Sequence, residues 1–453
     1  TFWLTSLDGS MGKSLVVALA VAIVACIDIV SRARHRSVHF LFACTLGAVL
    51  AMGAIALTRT LFEPSAMQNA TLMAFAILLL IAGWRLLFGV WEARTKAVVL
   101  GTFVFWIALH VLGAETPTQR LAHLIAIGVA LIPAVAWCLL FLPYHRERLS
   151  RVLVMFFAGM LATLPVLLYD ALVHHGTEFQ FFYFRIVPES FNSSTQSLVL
   201  GQLPGAPTAQ STLLFLSLSF LLVALVEEGC KFWVLRRGGD RFFSSIDDVI
   251  EFAIIVAIGF AFAENVTNSG YFLSFVQQYL LAPPHPQWGE FFGNVVGRSI
   301  LTSMVHIVST GTAGYFLGRA IFAQQELQED AARGKSHALL LTVSEAFGCE
   351  PKTLAQLLLV VGGLSLAIAL HAFNNLLVTL PDALPGSPQT FGALFHLSPG
   401  FPFANLSLVI LPSLLYVVGG FWMLTWLFEW RENRRERGMR VTVETFVAAQ
   451  ESL

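Results

Sequence analysis

Long apolar segments recur along this chain, and short polar or basic segments separate them. A helix needs about 20 mostly apolar residues to cross a bilayer. Eleven segments meet or approach that length: residues 14–30, 38–57, 71–91, 97–113, 121–143, 152–173, 212–235, 249–275, 299–322, 355–380 and 406–430. The pattern therefore predicts an all-α fold, a polytopic transmembrane helical bundle of about 11 spans.

The basic residues favour one side of these predicted spans. The loops that follow the odd-numbered spans, together with the C-terminal tail, hold 20 Lys and Arg, whereas the alternate loops hold five. The positive-inside rule then places the N-terminus outside and the C-terminus in the cytoplasm.

The composition agrees with a membrane protein, because 56% of the residues are hydrophobic and 12% are charged. Soluble proteins carry about 25% charged residues. The net charge of -1 gives no reason to expect a nucleic-acid partner. The five cysteines form no close pair, so neither a disulfide framework nor a thiolate metal site is expected.

Four polar clusters interrupt the apolar segments, and all of them lie in the second half of the chain. They read Glu227-Glu228-x-x-Lys231, Phe260-x-x-x-Glu264-Asn265, His306-x-x-x-Thr310 and His371-x-x-x-Asn375. Ionisable groups within a bilayer are expensive and are usually functional. Glu, His and Asn are also side chains that activate water and stabilise a reacting carbonyl group.

The clusters suggest three regions. Residues 1–205 form a six-span N-terminal domain of unknown role, residues 206–430 form a core of about five helices that holds the polar clusters, and residues 431–453 form a basic cytoplasmic tail.

The first cluster contains two neighbouring carboxylates with different expected roles. Glu227 precedes Lys231 by four residues, which is a favourable ion-pair spacing on a helix. This spacing leaves Glu228 free to act as a general base. The alternative is that the cluster is a cytoplasmic interface continuing into Arg236 and Arg237.

Depth connects the other clusters. Counted from the predicted helix ends, Glu264, His306 and His371 all fall within about 6–10 Å of the outer surface, whereas Glu228 lies more than about 20 Å from it. Glu264 has no basic neighbour in sequence, so it is either neutral or meets a cation supplied by another segment.

A metal would supply that cation. Two His and one carboxylate with an open position for water form a known catalytic zinc set. We therefore predict that Glu264, His306 and His371 bind a metal ion, with Zn²⁺ as the expected species. A metal-free mechanism that uses glutamate remains the alternative.

The four motifs, in this order, resemble those of the PrsW family of intramembrane endopeptidases, which is related to the CAAX prenyl endopeptidases. The resemblance covers about residues 207–430. It implies that Glu227 and Glu228 supply essential carboxylates, and that Glu264, His306, His371 and Asn375 complete the site. Lys231 and Asn265 match motif positions and are expected, with Thr310, to support it.

The resemblance also implies a substrate class and a location. Family members are similar in cleaving membrane-anchored regulators, such as anti-sigma factors, near the outer surface of the bacterial plasma membrane. We therefore expect the core to hydrolyse a peptide bond with Glu228 as general base, while the Asn375 amide donates to the oxyanion.

Two other function classes compete with a protease. A proton- or cation-coupled transporter, or a non-catalytic membrane scaffold, would also place ionisable residues within the bilayer. Transporters often carry inverted repeats and a polar path through both leaflets. The first six predicted spans offer no repeat that matches the polar clusters, which favours an enzyme.

Overall fold

The computed structural model describes most of the chain. The described residues are 22, 26, 29–30, 38–61, 70–113, 116–141, 147–166, 179–181, 184–186, 209–267, 269–383, 388–398, 400–402, 404–408 and 410–428. Most of the first predicted span, residues 14–30, and the whole predicted tail, residues 431–453, lie outside this set.

The chain divides into two compact units, which are Thr1–Ile125 with Glu147–Ala158, and Ala126–Arg146 with Gly159–Leu453. The first five helices of the described part are α1 (Val38–Leu61), α2 (Ala70–Phe88), α3 (Ala93–Gly113), α4 (Pro117–Phe141) and α5 (Leu149–Leu161). Within the first unit, α1 packs against α3, where Ala51 and Val99 are fully buried.

The second unit contains residues 126–141 of α4, residues 159–161 of α5 and all of the remaining elements of the described part. They are β1 (Phe179–Phe181), β2 (Phe184–Ile186), α6 (Ala209–Gly239), α7 (Ile246–Thr267), α8 (Trp288–Gly297), α9 (Ser303–Ile321), α10 (Ala323–Ala332), α11 (Ala338–Phe347), α12 (Pro351–Ala383), α13 (Phe391–Phe395) and α14 (Ile410–Leu414). The strands form one antiparallel hairpin, with Phe179 opposite Ile186. Apart from this hairpin, the described fold is helical as predicted.

Four short segments adjoin these helices: Ser269–Leu273, Val276–Leu281, Arg298–Thr302 and Leu415–Gly419. The last three are π-helical, whereas the first is kinked by the non-helical backbone of Tyr271. The third joins α8 to α9, so that one apolar helix runs from Trp288 to Ile321. Short π-helical segments within α-helices are frequent at functional sites.

Six helices of the described part are long and apolar enough to cross a membrane. They are His39–Ala56, Pro117–Phe141, Leu149–Val166, Trp288–Ile321, Pro351–Thr379 and Ile410–Phe428. The chain is therefore an integral membrane protein by its helical architecture, and the count of eleven spans stays a prediction.

Helix α9 is the centre of the second unit. It packs against both α7 and α12, and α6 contacts all three. The close approach of α7 and α9 depends on glycine, because a Cβ atom on Gly314 would lie 2.4 Å from the Cβ of Ala253. Gly318 has the same relation to Ile246, again at 2.4 Å. This packing sets the distance between the polar residues of the two helices.

Candidate active site

Each of these four helices brings one polar cluster to a common place. Helix α6 carries Glu227, Glu228 and Lys231, α7 carries Glu264, α9 carries His306 and Thr310, and α12 carries His371. All of these residues except Glu264 are buried. Ionisable side chains from segments up to 143 residues apart in sequence thus form one cluster within the helix bundle.

Glu228, which we call the inner carboxylate, accepts hydrogen bonds from three helices. Its Oε1 atom accepts from Lys231 Nζ at 2.7 Å and from His371 Nδ1 at 2.8 Å. Its Oε2 atom accepts from the Thr310 hydroxyl at 2.8 Å. Both oxygens are therefore held by donors, and the side chain is 0% exposed.

The expected ion pair within the first motif is present but is the longer of two. Lys231 Nζ lies 3.6 Å from Glu227 Oε2 and 2.7 Å from Glu228 Oε1. The prediction that this spacing leaves Glu228 free is wrong, because an i,i+3 pair is as accessible on a helix as an i,i+4 pair. The donors from α9 and α12 then fix Glu228 in this arrangement.

Glu264, which we call the rim carboxylate, is partly exposed and meets two other partners. Its Oε2 atom accepts from His306 Nε2 at 3.0 Å, and its Oε1 atom accepts from Arg298 Nη2 at 3.1 Å. The cation that the sequence pattern required for Glu264 is thus an arginine 34 residues later in the chain.

The two histidines are oriented by these two carboxylates. His371 donates from Nδ1 to Glu228, and His306 donates from Nε2 to Glu264, so the opposite ring nitrogens are the acceptors. The ring centroids are 5.0 Å apart. The opposite nitrogens, His371 Nε2 and His306 Nδ1, both border the space beside Glu227, which we call the gap, and His306 Nδ1 accepts from Lys231 Nζ at 2.9 Å.

Glu227 completes this gap. Its Oε2 atom lies 3.7 Å from His371 Nε2 and 3.9 Å from His306 Nδ1. Among the described residues no hydrogen-bond donor reaches this buried oxygen. One ligand atom from each of Glu227, His306 and His371 lies within 4.8 Å of the other two.

This geometry fits a metal ion, with one difference from the predicted ligand set. Glu227 faces the two imidazole nitrogens where Glu264 was expected, and Glu264 instead contacts the outward nitrogen of His306. Metal-binding histidines usually donate their other ring N–H to a carboxylate, as both do here. Lys231 Nζ, 2.9 Å from His306 Nδ1, is the cation that already contacts this nitrogen.

The remaining predicted site residues occupy different positions. Asn265 is buried and its Oδ1 atom accepts from Arg298 Nε at 2.6 Å, so it belongs to the rim. Asn375 lies on α12 one turn after His371 and is half-buried. No hydrogen bond connects its side chain to the described cluster residues.

Sequence reasoning missed Arg298 and Tyr271. The guanidinium carbon of Arg298 lies 3.0 Å from the centroid of the Tyr271 ring, in addition to its bonds to Glu264 and Asn265. Arg298 is the basic residue directly before the predicted span 299–322, on the side where basic residues are few. This position, a basic residue at the sparsely charged end of a predicted span, was the signal that could have identified Arg298 as a site residue.

The family comparison agrees with this site. The sequence model of the PrsW family of intramembrane metalloproteases matches residues 147–403, which is more than half of the chain. The chain belongs to the PrsW family. The matched segment contains all four polar clusters, and it begins earlier and ends earlier than the expected core of residues 206–430. Searches of curated proteins and of solved structures found no match.

Because the chain belongs to the PrsW family, it is a membrane-integral protease by family assignment. The same membership favours peptide-bond hydrolysis over the transporter and scaffold alternatives. The cluster of Glu227, His306 and His371 is a group that can hold a metal ion, in agreement with the family description as metalloproteases.

Proposed function

We propose that this PrsW-family protein is an endopeptidase that cleaves membrane-anchored proteins by water activated in the gap between Glu227, His306 and His371. The observation that carries the proposal is the buried Glu227 Oε2 atom, which faces two imidazole nitrogens and has no donor among the described residues. A water molecule bound there would have a proton acceptor in Glu227 and polar atoms in the two imidazoles to orient it.

Glu227 takes the proton from the attacking water, in place of Glu228. The reason is that donors hold both oxygens of Glu228 and both oxygens of Glu264. Glu228 and Glu264 then orient the imidazoles, so that His371 Nε2 presents its lone pair to the reacting water while His306 Nδ1 accepts from Lys231. Protonated Glu227 can return the proton to the leaving amine once the carbon–nitrogen bond breaks.

The same gap suits a metal held by Glu227, His306 and His371, in which case Glu227 would be a ligand and the metal, in place of Glu227, would activate the water. A zinc ion bound there would lower the pKa of its water toward about 7 and so supply hydroxide at neutral pH. Lys231 Nζ would have to give up its contact with His306 Nδ1. The carboxylates behind the two imidazoles would hold both rings in the required orientation.

Asn375 is proposed as the donor to the oxyanion that forms on the substrate carbonyl. It follows His371 by one helical turn and is not fully buried, so a bound substrate can reach its amide. Removal of one such donor typically lowers the rate by about 10²–10³-fold. We expect Asn375→Ala to lower kcat by that factor with little change in KM, measured on a cleaved substrate.

The substrate class follows from the membrane setting. We propose membrane-anchored regulators, of which an anti-sigma factor is one example, cleaved near the outer surface in a bacterial plasma membrane. The predicted topology places the histidine cluster toward that surface.

Cleavage in reconstituted vesicles tests the proposed function. The purified full chain is mixed with membrane-anchored candidate substrates, and the products are identified by mass spectrometry. Glu227→Gln should lower the rate by about 10²–10⁴-fold, since general-base catalysis typically contributes that factor. The matched control is Arg319→Gln, because Arg319 pairs with Glu326 at the other end of α9. Full activity of Glu227→Gln would remove Glu227 from this role.

Elemental analysis tests the metal. We expect about one equivalent of zinc in the purified wild-type protein, and loss of the metal in the variant His306→Ala/His371→Ala. Active, chelator-resistant enzyme with far less than one equivalent would leave water activation to Glu227 and the imidazoles alone.

A further inference from the structure

Four residues at the partly exposed edge of the cluster form one structure, which we call the rim clamp: Arg298, Glu264, Asn265 and Tyr271. Arg298 donates from Nε to Asn265 Oδ1 at 2.6 Å and from Nη2 to Glu264 Oε1 at 3.1 Å. Its guanidinium plane also lies over the ring of Tyr271. The arginine therefore binds two adjacent residues of α7 and packs on Tyr271 in the kinked segment Ser269–Leu273 that follows α7.

The π-helical segment Arg298–Thr302 brings Arg298 onto the face of α9 that holds His306. The two residues are eight positions apart, which is a rotation of about 80° on a regular α-helix. A π-helical turn inserts one extra residue. The effective separation becomes about seven residues, or nearly two full turns, and both side chains then face α7.

Glu264 connects the two. One of its oxygens accepts from Arg298 and the other accepts from His306 Nε2. The position of the carboxylate therefore helps to fix the His306 ring, whose opposite nitrogen accepts from Lys231 Nζ at 2.9 Å and lies 3.9 Å from Glu227 Oε2. A chain of contacts runs from Arg298 through Glu264 and His306 to the gap.

We propose that Arg298 is a positioning residue for the cleavage reaction, and that it acts through Glu264 on His306. This proposal rests on the proposed function in one respect, namely that the reaction which Arg298 affects is peptide-bond cleavage. A simple counter-charge for Glu264 would need only a lysine. The observed geometry uses the arginine fork instead, because two nitrogens of Arg298 bind acceptors on two adjacent residues.

The kinetic test compares four variants of the full chain with the wild type: Arg298→Lys, Arg298→Gln, Glu264→Gln and the double variant Arg298→Gln/Glu264→Gln. Loss of an outer partner of a functional histidine typically lowers activity by about 10–100-fold. We expect kcat to fall by that factor in Arg298→Gln and nearly as far in Arg298→Lys, with KM within about twofold. Arg319→Lys on the same helix serves as the control.

The double variant distinguishes action through Glu264 from an independent role. Residues that act through one another in a series of contacts show non-additive effects when both are substituted. The double variant should therefore be no slower than Glu264→Gln alone. Rate losses that multiply would overturn the proposal, and so would full activity of Arg298→Lys.

A second measurement does not depend on cleavage. In protein labelled with ¹⁵N-histidine, the His306 side-chain resonances can be assigned by comparison with His306→Gln. We expect Arg298→Gln and Glu264→Gln to shift the His306 Nε2 resonance in the same direction, and to leave His371 unchanged. An unmoved His306 resonance would overturn the proposal. If the wild type cleaves no substrate, the proposed function fails, whereas this shift still tests the coupling.

Discussion

The inner carboxylate Glu228 and the rim carboxylate Glu264 perform the same task in different surroundings. Each accepts an N–H from one histidine and thereby turns the other ring nitrogen toward the gap. The Glu228 side chain is 0% exposed, and its cation, Lys231, lies one turn away on the same helix. The Glu264 side chain is 24% exposed and receives its cation from Arg298, on another segment. The fully buried carboxylate thus has its counter-charge on its own helix, whereas the partly exposed carboxylate has it on another segment.

This difference has an electrostatic consequence for the gap. The cluster holds three carboxylates, Glu227, Glu228 and Glu264, and two cations, Lys231 and Arg298. With neutral imidazoles the charges sum to −3 + 2 = −1. The two cations lie at hydrogen-bond distance from Glu228 and Glu264, so the excess negative charge belongs to Glu227. The gap therefore favours a proton, a metal cation or a polarised water.

The comparison predicts unequal losses of stability. Removing one partner of a buried ion pair leaves the other charge uncompensated and typically costs about 3–5 kcal/mol. We expect Glu228→Gln to lower the free energy of unfolding by up to about that amount, because Lys231 is 0% exposed and keeps only its longer contact with Glu227 at 3.6 Å. Glu264→Gln should cost much less, because the Arg298 side chain is 16% exposed and keeps its hydrogen bond to Asn265. Thermal unfolding of the purified variants measures both.

A double variant provides the control for this stability prediction. Glu228→Gln/Lys231→Met removes both charges, so it should recover part of the stability lost in Glu228→Gln. Equal destabilisation by Glu228→Gln and Glu264→Gln would contradict the distinction between an inner and a rim carboxylate.

The comparison also predicts similar effects on metal affinity. Both carboxylates bind the outward nitrogen of a histidine, and loss of such a partner typically lowers metal affinity by about 10–100-fold. We expect Glu228→Gln and Glu264→Gln each to weaken zinc binding by that factor, measured by competition with a chelator at a temperature where both variants are folded. A variant with unchanged affinity would show that its histidine does not face the metal.

The apolar pattern and the four motifs were sufficient to predict the helical membrane fold and the family, because both signals are local in sequence. The pairing of Lys231 was not predictable in this way. Spacing permits Glu227 and Glu228 equally, and the choice depends on Thr310 and His371, which are 82 and 143 residues from Glu228. Depth counting separated Glu228 from the histidines, whereas the structure gives Glu228 a direct bond to His371.

The role of Arg298 was missed for a related reason. The 3.6-residue period assumes a regular α-helix, and the π-helical segment Arg298–Thr302 changes which residues share a face with His306. Likewise, the assignment of Glu264 to the metal followed from equal depth. Depth places residues in one layer of the bilayer and does not show which atoms face each other.

The smallest expected effect belongs to the third donor of the inner carboxylate. Thr310→Val keeps the shape of the side chain but removes the hydroxyl that donates to Glu228 Oε2 at 2.8 Å. A buried acceptor that loses its donor costs about 1–3 kcal/mol, so the unfolding midpoint should fall while the histidines keep their partners. Ser309→Ala is the matched control, since the neighbouring buried Ser309 hydroxyl has no hydrogen-bond partner in the described part of the chain. Equal losses in the two variants would show that Glu228 does not need its third donor, and that Lys231 and His371 hold it alone.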